Sequence, residues 1–107
     1  MITAKDIAKI DRLYSDPGKH TRAAFARNAT GGGVSPRSED AVAWCMWGAC
    51  YKTGVDMIEL RTAMVEAGVI EPGISLVLWN DSHVFADIKT GLNKAMLFLK
   101  ERELGAK

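Results

Sequence analysis

The sequence predicts a mainly α-helical domain, a small bundle of four to five helices around a central apolar helix at residues 38–53. Three observations carry that expectation. Apolar residues recur at three–four spacing in stretches bounded by capping residues and glycines. The run Ala41–Tyr51 is uncharged and apolar on every side, as a helix covered by others must be. The connections are short, and 107 residues leave room for one core only. A single domain is therefore expected over 1–107, with a tail that frays at 103–107.

The first helix starts at Thr3, a good N-cap, with Asp6 three residues on and Ile2 and Ile7 in the flanking staple positions. Ile7, Ile10, Leu13 and Tyr14 form its apolar face, and Ser15-Asp16-Pro17-Gly18 stops it. Thr21–Arg27 is a short amphipathic piece anchored by Phe25, too short to stand without packing. The loop Asn28–Gly33 ends in three glycines and reads as a connector. The sharper reading is a backbone anion nest, although no Lys-Ser/Thr follows as in a P-loop.

Ser35-Pro36 or Ser38 with Glu39 and Asp40 is expected to open the central helix, and Gly54 to end it. Asp56 caps the next helix, with Glu59 completing a capping box. Met57, Leu60, Met64 and Ala67 give that helix a buried face, and Gly68 closes it. Residues 74–79 read equally as a short buried strand or a helical turn. Asn80-Asp81-Ser82 is a cluster of capping residues ahead of the last helix, whose stripe is Phe85, Ile88, Leu92, Ala95 and Leu99.

Composition narrows the function classes. The net charge is +1, from 14 basic and 13 acidic residues, so the chain lacks the electrostatic footprint of a nucleic-acid binder. Residues 1–30 carry six basic and three acidic side chains, a mild bias only. The longest apolar run is about half a bilayer span, so no membrane segment is expected. The start of the chain has no apolar targeting stretch, and two cysteines at i and i+5 on a helix face apart. Both features suit a reducing cytoplasm.

Trp44-Cys45-Met46-Trp47-Gly48-Ala49 and Trp79-Asn80-Asp81 stand out as motifs. Together they resemble a family of uncharacterised phage and bacterial domains with W-C-x-x-G-A and W-N-D signatures. Ala26-Arg27-Asn28, Val34, Pro36 and Ala41-Val42 resemble the family's lead-in, and Asp87-Ile88 the start of its last helix. Val84 stands where that family would place a Thr cap. The resemblance spans about residues 22–96 and implies a phage or mobile-element setting. It supplies no catalytic residue.

Three functional readings remain. The first is a non-enzymatic accessory protein that binds a host or phage protein, an inhibitor of a host defence complex being one instance. Trp47, Tyr51, Met57 and Met64 are candidates for its surface, since Trp, Met and Arg are enriched at interfaces. Arg22 and Arg27, with Lys19 and His20, form a small basic patch suited to an acidic surface. The second reading is a thiol hydrolase or transferase using Cys45, with His20 or His83 as base and Asp81 orienting His83. The third is a small-ligand pocket walled by Trp79, Asn80 and Asp81. No metal-ligand spacing is present, no cofactor is implied, and pairing into a homodimer would extend so small a core.

Overall fold

The first helix forms where its cap predicts. In the computed structural model, which describes residues 1–105, α1 spans Ala4–Leu13. Thr3 accepts from the Asp6 N–H while the Asp6 carboxylate accepts from the Thr3 N–H at 2.9 Å, a reciprocal capping box. A 3₁₀ turn at Pro17–Lys19 leads to β1 (Ala26–Arg27) and then β2 (Ala43–Trp44). Four helices follow: α2 (Met46–Thr53), α3 (Met57–Glu66), α4 (Leu76–Asp81) and α5 (Phe85–Gly105). The fold is a mainly α-helical small bundle with one short two-stranded sheet.

The helices share one core. Ile7 and Ile10 of α1 with its C-cap Tyr14, Leu60 and Met64 of α3, and Ile88, Leu92 and Leu99 of α5 are all fully or almost fully buried. Helix α5 runs antiparallel to α1. Lys89 near its start meets Asp11 at 2.7 Å, and Glu103 near its end accepts the Ala4 N–H at 3.0 Å. That carboxylate sits at the N-terminus of α1, where an anion complements the helix dipole. The tail expected to fray is thus helical through Gly105, and its last two residues lie outside those described.

Several local expectations are corrected. The central helix does not begin at residue 38. Residues 36–37 and 39–40 form turns, 41–42 are irregular, 43–44 form β2, and α2 starts at Met46. Apolar residues in this stretch gain from burial in either conformation, and the pairing with β1 decides between them. Ala26 faces Trp44 and Arg27 faces Ala43, with Val42 N–H donating to Arg27 C=O and Cys45 N–H to Phe25 C=O. Trp44 then points its indole N–H at the Pro36 carbonyl, 2.9 Å away.

Thr21–Arg27 is accordingly not helical; it bends through Ala23 and enters β1. The stretch 74–79 resolves as the entry to a helix and not as a strand: Ser75 caps α4, which begins at Leu76, by accepting the Leu78 N–H at 3.0 Å. Gly54, at φ +79°, and Asp56, accepting from Ile58 and Glu59, terminate and start their helices as the sequence predicts.

Candidate functional site

Two places on the molecule gather the residues singled out in the sequence. Both are built on α2, one at its N-terminal end and one along its length.

The first is a polar knot centred on Asn80, which is 0 % exposed. Its side-chain oxygen accepts the Met46 N–H at 3.1 Å, and its amide nitrogen donates to Thr21 C=O at 3.1 Å and to Asp81 Oδ1 at 2.9 Å. The His20 ring meets the same oxygen at 2.8 Å. Because that oxygen can only accept, His20 donates from Nε2. Burial pushes the His20 pKa below its ordinary value, partly opposed by this bond. Tyr14 packs edge-on against His20 and donates its hydroxyl to Trp44 C=O at 3.0 Å. The sequence reads Asn80 either as satisfying a helix-end N–H group or as walling a ligand pocket. It satisfies a helix-end N–H, that of α2, and its hydrogen-bonding capacity is spent inside the fold.

Cys45 adjoins the knot. It is the N-cap of α2, not a residue two turns into a helix, and its sulfur accepts the Gly48 N–H at 3.4 Å. Burial raises its pKa, partly opposed by the Gly48 and Trp47 backbone N–H groups. Cys50 is pushed up to about 12, first by burial and then by Cys45. Cys45 and Asp81 share a cleft of about 280 Å³ with Ala23, Phe25 and Val77. Ala23 there has φ 60°, a left-handed conformation that costs an alanine energy.

His83 does not join them. Its ring lies against Trp79 and its Nδ1 is 2.7 Å from the Trp79 carbonyl, on a separate groove with Asp87 and Lys94. Trp79 itself is buried, its ring pressed against Gly91 of α5, where any Cβ would lie 2.9 Å from the indole. The basic patch is also largely committed. Arg27 donates to Thr21 Oγ1, Gly31 C=O and Arg22 C=O, and Arg22 donates to His83 C=O.

The second place is an aromatic groove. Trp47 and Tyr51 lie four residues apart on α2 and are 37 % and 53 % exposed; Phe25, 50 % exposed, lies against Trp47 with ring centroids 5.0 Å apart. Arg37 covers one face of Tyr51 at 4.8 Å and donates from Nε to the Tyr51 carbonyl at 3.2 Å. Ser35 and Pro36 complete the wall of a groove of about 380 Å³.

Gly48 makes this arrangement fit. A Cβ at that position would stand 1.8 Å from the Phe25 carbonyl oxygen, so the segment carrying Phe25 can lie directly on α2. The sequence flags Trp47 and Tyr51 but not Phe25, Arg37 or Pro36. Those three reach the groove through the β1–β2 pairing, which local periodicity does not reveal. Comparison with family models, curated proteins and solved structures finds no match to this chain.

Proposed function

We propose that this chain is a small non-enzymatic accessory protein, of phage or mobile-element type, that binds a host protein in the cytoplasm. A component of a host defence complex is one such partner. The observation that carries the binding reading is the groove of Phe25, Trp47 and Tyr51: three aromatic rings left half-exposed yet held in place by neighbours. Rigid aromatic side chains lose little entropy on docking, and such residues dominate interface energies. No helix among the described residues is long and apolar enough to cross a membrane. The test is affinity capture from host lysates with the native chain and with Trp47→Ala and Tyr51→Ala. A partner held by the native chain and released by both folded variants supports the reading. Capture that neither variant weakens overturns it.

One observation favours a second reading, thiol chemistry at Cys45. The strained Ala23 borders the cleft that Cys45 and Asp81 share, and backbone strain concentrates at functional sites. Burial of the thiol works against it by disfavouring the thiolate.

A further inference from the structure

The groove has a chemistry that narrows its ligand. Trp47 and Tyr51 are each pinned on one side, Trp47 by Phe25 and Tyr51 by Arg37. They stand one helical turn apart, about 6 Å along the α2 axis. The Trp47 indole N–H and the Tyr51 hydroxyl have no hydrogen-bond partner among the described residues, and both rings are exposed. No carboxylate lines the groove, while Arg37 forms its rim and exposed Lys52 follows Tyr51 on the helix.

These features discriminate among occupants. A cationic ligand, the usual guest of aromatic cages, would meet the Arg37 guanidinium already on the Tyr51 face. An amphipathic helix needs anchors over several turns, and α2 has only eight residues, about 12 Å of length. A polyproline II segment fits better. Residues two apart along it are about 6 Å apart, matching one helical turn. Its carbonyls are free of internal hydrogen bonds and can accept from an indole N–H, and its proline rings stack on aromatic faces. The basic rim favours a carboxylate beside those prolines.

We propose, building on the binding reading above, that the Trp47–Tyr51 groove takes a proline-rich, polyproline II segment of a partner protein that carries an acidic residue next to its prolines. The prolines lie over Trp47 and Tyr51, opposite Pro36, and the acidic side chain meets Arg37.

The probe is a synthetic oligoproline peptide ending in two glutamates, titrated into isotopically labelled protein while the Trp47 indole resonance is followed. The expected result is a saturable shift of that resonance. Trp47→Ala and Tyr51→Ala should each weaken binding about thirtyfold or more. Arg37→Ala, or lysines in place of the glutamates, should weaken it about threefold. No shift, or an equal shift from a peptide with alanines for the prolines, overturns the proposal. If lysate capture depends on Trp47 while the peptide is silent, the binding reading stands and this ligand class falls. If the peptide binds but lysate capture ignores Trp47, the reverse holds.

Discussion

The side-chain oxygen of Asn80 accepts the Met46 N–H at 3.1 Å, so the start of α2 is satisfied by a residue at the end of α4. The first N–H groups of a helix have no partner within it, and a buried one must find a partner elsewhere. Asn80→Ala leaves the Met46 N–H and the His20 ring without their acceptor. Urea denaturation should show a loss of about 1–3 kcal/mol for each donor left unpaired in the interior. Asn80→Asp keeps an acceptor but removes the amide donor to Asp81 and Thr21, and it sets a second carboxylate beside Asp81. It should also destabilise. A neutral effect of both variants would mean that the knot is not a structural element.

Gly48→Ala tests the close approach of Phe25 to α2. The added methyl would collide with a backbone oxygen, which cannot swing aside as a flexible side chain does. The expected cost is at the upper end of the about 1–3 kcal/mol typical of overpacking, read as a lowered Tm. Relief by moving the Phe25 segment away would also disturb Trp47, visible as a change in its fluorescence or indole resonance.

Thiol labelling of the native protein should be slow. Cys45 and Cys50 are both buried, and burial raises both thiols above their ordinary range. Labelling should accelerate sharply in urea, with Cys50 the slower of the two in the native state. Rapid labelling of Cys45 at neutral pH would revive the thiol-enzyme reading.

His20 makes stability depend on pH. Its folded pKa lies below the ordinary value of about 6.5, so the unfolded chain takes up the proton first as pH falls. The contribution is fully present above about pH 6.5 and is lost as pH falls through the folded pKa. Arg22 strengthens this depression and Asp81 opposes it. Tm should therefore drop below about pH 6.5, and His20→Gln, which retains a donor, should flatten that part of the profile.

Trp47→Ala and Tyr51→Ala should leave the fold intact. Both side chains are exposed enough that their loss should cost roughly 1 kcal/mol or less, set against the larger loss expected for buried Trp44 or Trp79. Thermal melts of the four alanine variants check the ordering.

The sequence signals that proved readable are those whose partners lie within a few residues. Thr3 with Asp6, Asp56 with Ile58 and Glu59, and Gly54 at its positive φ each act through local geometry. The stripe of α5 is equally plain, because Ile88, Leu92, Ala95 and Leu99 share one face over a long helix. Residues 38–45 were not readable as they fold. An all-round apolar run has no period to separate helix from strand, and the pairing that decides it comes from Ala26 and Arg27.

The site divides the same way. Trp47 and Tyr51 are visible as an i, i+4 aromatic pair, whereas Phe25 and Arg37 join them only through tertiary contact. Asn80 was legible as a helix-capping residue type, but its true partner is 34 positions away.

The antiparallel pairing of α1 with α5 has a consequence for biosynthesis. The bond from Ala4 to Glu103 joins positions 99 apart, and the apolar face of Ile7 and Ile10 packs in a core shared with Ile88, Leu92 and Leu99. During translation the first helix emerges long before its cover. Helix α2 packs on part of that face, but the rest stays open until the ribosome has delivered α5, so a chain stalled before Ile88 leaves apolar surface within reach of chaperones or proteases.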